Sequence, residues 1–202
     1  MEIRPISGER MRKRGAQSLV EFAILLPVLL IMVGGLAELG FALAAYMSLQ
    51  DAAREAARFG ADGDPCGGQN PELPDVTCSD INGFFEPIAR RFDQAFAPYM
   101  LANTIGDDLV ISAFGVYESG SLAWRLPKDH PSGWSRFGNR ASRVSNADIS
   151  SLMGHPPSKG ILVVEVYYHH RHRLGLFQNL LPDPIEMYAV AWMPLPSVDP
   201  LR

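Results

Sequence analysis

The hydrophobic pattern of the chain changes character twice. Residues 22–37 carry no charged or polar side chain, and after Glu38 the apolar character resumes over residues 39–47. A stretch that is apolar on every side leaves no face for water, which predicts a membrane-spanning helix. As a helix, residues 22–47 reach roughly 39 Å, against a hydrocarbon core of about 30 Å, so the segment spans with room for tilt. Beyond it the pattern becomes one-sided. Leu49, Ala52, Ala53, Ala56 and Ala57 follow i, i+3, i+4, i+7, i+8, with Asp51, Arg54, Glu55 and Arg58 turned away from them. The same rod outreaches the bilayer, and Gly60 is its expected stop. Its alanine face fits docking onto the chain's own outer domain, or packing against sister helices whose backbones small residues let draw near.

After Gly60 a run dense in Gly, Pro and Asp predicts a loop. A second helix follows, because Ile81, Phe84, Phe85, Ile88, Phe92, Ala95, Phe96 and Tyr99 keep helical spacing opposite Glu86, Arg90, Arg91 and Asp93. Pro87 is expected to kink that helix or to begin it. Residues 109–116, 161–168 and 184–193 are rich in β-branched and aromatic side chains and predict strands, with residues 122–126 as a hairpin return across 118–121. Residues 127–159, rich in Ser, Gly, Asn, Arg and Pro, read as a surface insertion with at most a short helix near 146–153. The expected class is α+β: a long N-terminal transmembrane helix extended outside the membrane, then a small antiparallel sheet packed against a helix, with one sheet face buried. The outline is pilin-like.

Composition sharpens this picture. The 202 residues are 47% hydrophobic and 20% charged, with a formal charge of −4, so a disordered tail is excluded and no basic footprint for nucleic acid exists. The charge is lopsided. Arg4, Arg10, Arg12, Lys13 and Arg14 precede the apolar stretch, and only Arg54 and Arg58 follow it closely. The positive-inside rule then puts the N-terminus in the cytoplasm and the bulk outside. Two other readings compete. A buried core helix of a soluble protein is also apolar all round, but rarely this long or preceded by a basic cluster. A secretory signal peptide would be cut after Ala44, at Ala42-Leu43-Ala44, although the helical pattern runs through that site.

Arg14-Gly15-Ala16-Gln17-Ser18-Leu19-Val20-Glu21-Phe22, running into Ala-Ile-Leu-Leu-Pro27, resembles the N-terminal signature of the TadE-like family of tight-adherence pilus assembly proteins. Glu38-Leu39-Gly40-Phe41 and the run from Leu49 through Ala-Ala-Arg-Glu-Ala-Ala-Arg58 extend the likeness to about residues 12–60. The resemblance implies a single-pass, pseudopilin-like protein that takes part in building or anchoring an Flp-type pilus. Its domains are a basic cytoplasmic leader (1–16), a TadE-like transmembrane helix with its extracytoplasmic extension (17–60) and an extracytoplasmic α+β domain (61–202). The implied partners are the lipid bilayer, other pilin-like subunits, the pilus assembly machinery and a prepilin peptidase. In that family scheme a cut follows a small residue and leaves Glu at position five. A cut after Gly15 makes Glu21 sixth; a cut after Ala16 makes it fifth and starts the mature chain at Gln17. Glu21, beside Phe22 at the membrane edge, would then pair with a neighbouring chain's new α-amino group and set subunit register. Glu38 is expected near the outer interface, snorkelling or facing a partner.

Cys66 and Cys78 lie on the side expected to be oxidising, and a disulfide closing the loop between them is the economical reading. Two thiols are too few for zinc, and Asp62, Asp64 and Asp75 lack calcium-loop spacing. In His169-His170-Arg171-His172, period two puts Glu165, Tyr167, His169 and Arg171 on a solvent face and His170 and His172 on the other, with no carboxylate or thiol at ligand spacing. No nucleophile elbow, phosphate loop, dinucleotide fingerprint or zinc-protease motif occurs. The expectation is therefore a non-enzymatic assembly protein without metal or cofactor. The rival reading is an outward binding module merely tethered by the helix.

Overall fold

The computed structural model describes residues 9–66, 81–117, 122–128, 130, 132–152, 159–175 and 182–196. Among these residues are three α-helices, α1 (Glu9–Ala61), α2 (Ile81–Phe96) and α3 (Asn146–Leu152), a 3-10 turn at Asn103–Ile105 and five strands. The five strands are β1 (Asp108–Val116), β2 (Leu122–Leu126), β3 (Trp134–Ser135), β4 (Lys159–His170) and β5 (Ile185–Leu195). The fold is α+β. Helix α1 starts earlier than the pattern implied, inside the basic leader, and runs unbroken through Pro27 and through residues 42–44. Pro87 lies inside α2, six residues after its first, so it does not begin that helix.

The sheet is antiparallel, in the order β2-β1-β4-β5, with β3 sharing the β2 edge of β1. Two compact units emerge: Met1–Ala42 with His172–Asp183, and Leu43–Arg171 with Pro184–Arg202.

In the second unit the one-sided part of α1 does what its period predicts. Ala45, Leu49, Ala52, Ala53, Ala56 and Ala57 are all buried, so the alanine face docks onto the chain's own outer domain and not onto sister helices. Small side chains set the distance. A Cβ on Gly60 would fall 2.5 Å from Ile88 of α2 and from Leu162 of β4. Glu55 accepts hydrogen bonds from the Arg91 guanidinium, tying α1 to α2 at the rim. The stripe expected of α2 is core: Phe85, Ile88, Ala89, Phe92 and Phe96 are buried. Gly115 is required by its neighbour, because a Cβ there would meet the Trp124 ring at 2.2 Å.

The sheet differs from expectation on its other face. Every residue of β1 is buried, and so are Ile161, Val163, Glu165 and Tyr167 of β4. Residues 136–149 of the supposed surface insertion cover this face. Val144 and Ile149 pack with Phe114, Val116, Ile161 and Val163. The cover is fastened at its helix by a capping box. Ser145 N–H donates to Asp148 Oδ2 at 2.8 Å, and Asp148 N–H returns to Ser145 Oγ at 3.3 Å. The Ser145 hydroxyl also donates to Asp148 Oδ2 at 2.7 Å, and this bond, with the one from Ser145 N–H, holds the Asp148 carboxyl below the usual range.

Buried carboxylates hold the rest of the cover. Asp108 Oδ2 accepts from Asn139 N–H and Arg140 N–H, both at 2.8 Å, and its Oδ1 accepts from Phe137 N–H at 3.1 Å. Asp107 instead ties the approach to β1 to β4, accepting from Ala102 N–H, from His169 N–H and from the His169 ring at Nδ1, each at 2.8 Å. Glu165, placed on a solvent face by the alternation of β4, is instead fully buried. It accepts from Ser142 Oγ, from Arg143 N–H at 2.8 Å and from Tyr188 OH at 2.8 Å. A loop over a sheet cannot use the ladder for its N–H groups, and these side-chain acceptors satisfy them.

Burial and the nearby Glu165 charge push the Tyr167 phenol up to about 12, and the same two causes push Tyr188 up further. Both phenols donate, Tyr167 to the Ala141 carbonyl at 2.9 Å and Tyr188 to Glu165. The fold thus prefers neutral phenols. Their contribution to stability is complete below about pH 10, where an unfolded tyrosine ionises, and is lost as pH rises through the folded values. Tyrosinate absorbance is expected to show two lagging phenols that ionise together with unfolding, one fewer in Y167F and in Y188F. Ionisation of all six tyrosines near pH 10 with the fold intact would refute this.

Candidate anchoring helix and its carboxylate clasp

The site implied by the resemblance is the N-terminal part of α1. From Gln17 to Val33 every side chain is exposed, including Leu19, Val20, Phe22, Ile24, Leu25, Val28, Leu29, Leu30, Ile31 and Met32. No soluble helix presents such a surface to water, and this one is long and apolar enough to cross a membrane. Gly15 and Ala16 lie within the helix. Gln17 Nε2 donates to Glu21 Oε1 at 3.1 Å, an i,i+4 bond on the exposed surface. Glu21 and Phe22 are adjacent and exposed, open to a partner.

Glu38 stands apart from these. It neither snorkels nor waits for a partner: only 4% of it is exposed, and the chain's own β4–β5 connection encloses it. Arg173 N–H donates to Glu38 Oε1 at 2.6 Å, and Leu174 N–H donates to Oε2 at 2.8 Å. His172 Nδ1 lies 3.2 Å from Oε1, while its Nε2 lies 3.1 Å from the Pro182 carbonyl. Both ring nitrogens face oxygen atoms. Asp183 Oδ1 is 3.4 Å from His172 N, closing the base of the connection. The carboxylate is therefore fully engaged, and Gly34, one turn earlier, is buried as well.

His172, Arg173 and Leu174 were not among the expected site residues. Their signal in the sequence is a basic and histidine-rich strand end followed by residues 174–182, which carry no charge. A lone carboxylate within an apolar run also demands a partner, but nothing local says that it lies 134 residues away. The other candidates separate. His169 pairs with Asp107, and among the described residues no three His, Cys, Asp or Glu side chains converge as a metal site. Cys66 is buried; Cys78, and with it the expected disulfide, lies outside the described residues.

Residues 16–58 match the family described as TadE-like protein. No curated protein and no solved structure matches the chain, so the pilin-like outline finds no structural counterpart. The match begins at Ala16 and ends at Arg58, taking in the exposed apolar segment, the clasped Glu38 and the alanine face. The likeness to the TadE-like family is thus confined to residues 16–58, less than half of the chain.

Proposed function

We propose that the chain is a single-pass membrane protein that assists assembly or anchoring of a tight-adherence pilus as a pseudopilin-like or minor-pilin-like subunit. The observation that carries this reading is the coincidence of the TadE-like match with a helix whose residues 17–33 expose their side chains on all sides. A helix of that kind needs lipid or other apolar helices around it. The N-terminus, with its five basic residues, lies in the cytoplasm, and the sheet-bearing domain lies outside the cytoplasmic membrane. A prepilin peptidase cuts after Gly15 or Ala16, and Glu21 pairs with the new α-amino group of a neighbouring subunit. Cys66 and Cys78 form a disulfide in the oxidising compartment. The work is mechanical, and no catalysis is involved.

A photo-crosslinking amino acid in place of Phe22, which is exposed on the helix, tests the assembly reading in cells. Adducts with pilin-like subunits or pilus assembly proteins, together with loss or alteration of pili on deletion of the chain, are expected. Recovery of no pilus-system protein, with pili unchanged on deletion, would overturn it.

A further inference from the structure

We propose that the β4–β5 connection is a second membrane-contacting element, which seats Leu174 in the outer boundary of the bilayer with Arg173 at the level of acidic lipid headgroups. This rests on the reading of α1 as a membrane span. The described residues of the connection, 172–175, 182 and 183, fall in one compact unit with the helix up to Ala42, so this part of it belongs with the apolar rod. The bonds from Arg173 N–H and Leu174 N–H to Glu38 fix its height along that rod. Sixteen residues separate Phe22 from Glu38. In a helix that is a rise of roughly 24 Å, less than the hydrocarbon thickness of about 30 Å. With Phe22 at the inner boundary, Glu38 and the peptide groups bonded to it lie within the outer edge of the bilayer, and tilt draws them deeper.

The chemistry of the connection suits that depth. A carboxylate inside the apolar span is costly unless it is paired, and two peptide N–H groups and the His172 ring supply its partners. The same bonds satisfy irregular backbone that lipid could not. Leu174 is 47% exposed and bonded through its N–H to Glu38, which the exposed Leu36 and Leu39 flank in sequence. Arg173 is exposed, a cation placed for phosphate. The sequence continues from Leu174 to Pro182 without a charge. The partner is therefore the bilayer itself, continuous with the lipid around α1.

The test places benzoylphenylalanine at Leu174, and in a separate protein at Leu29, in the full chain reconstituted into phosphatidylethanolamine–phosphatidylglycerol vesicles. Irradiation is followed by mass spectrometry. Because the connection is held through its backbone, the replacement at 174 leaves its attachment intact. Phospholipid adducts at 174 are expected at a yield within about threefold of those at 29, falling several-fold when Arg173→Glu is added. Lipid adducts at 29 with none at 174, or with only protein adducts at 174, overturn the inference while the span survives. Absence of lipid adducts at both positions overturns the inference and the span together.

Discussion

Replacing Glu165 with alanine is expected to destabilise the outer domain by about 3–5 kcal/mol, the cost of removing one partner from a buried charged network. Its carboxylate lies between the sheet and the segment that covers it, and three donors converge on it from Ser142, Arg143 and Tyr188. Alanine leaves Arg143 N–H and Tyr188 OH without that acceptor, at about 1–3 kcal/mol for each that water cannot reach, while Ser142 Oγ keeps the Val144 carbonyl at 3.2 Å. Arg125 loses as well. Burial lowers its pKa and the Glu165 charge opposes that, so without Glu165 a half-buried guanidinium is left with its ring contact to Phe114 and its bond to Ser112. A domain whose whole stability is about 5–15 kcal/mol does not absorb such a change silently. Thermal unfolding of the full chain in detergent should fall by on the order of 10 °C. Glu165→Gln, which keeps one acceptor, should fall by less. An alanine variant melting within about 2 °C of the parent would show that Glu165 does not fasten the cover.

The second large effect concerns the rod. Leu30→Arg combined with Val33→Arg puts two guanidinium groups near the middle of the exposed apolar surface, where each costs about 2.5–3.5 kcal/mol at a helix centre. Together they remove about 5–7 kcal/mol of the tendency to insert, assuming the two costs add. The double variant should be depleted from the membrane fraction and extracted by alkaline carbonate, whereas Leu30→Ala with Val33→Ala stays. If the arginine pair resists extraction as the parent does, the exposed segment is not the anchor.

Much of this architecture was legible in the residues because local period and burial agree where one element faces one environment. The uniform stretch 22–37, the alanine face and the aromatic stripe of α2 are of that kind. The second sheet face was misread for a physical reason. Glu165, Tyr167 and His169 alternate with apolar residues as solvent-facing positions do, yet a segment whose backbone N–H groups donate to Asp108 and Glu165 of the strands lies over this face. The better signal was already in β4: Ile161 to Val164 is a continuous apolar run, the mark of a strand covered on both sides. The enclosure of Glu38 depends on a connection far along the chain, and no periodicity reports contacts of that separation.

The central claim, a helix that crosses the bilayer and leaves the sheet-bearing domain outside, is tested most directly by labelling a cysteine introduced at Met100. That side chain is 80% exposed in the folded domain, so folding does not hide it. A membrane-impermeant maleimide applied to intact spheroplasts is expected to label M100C as fully as it does after permeabilisation. Labelling that appears only once the membrane has been opened would contradict the account.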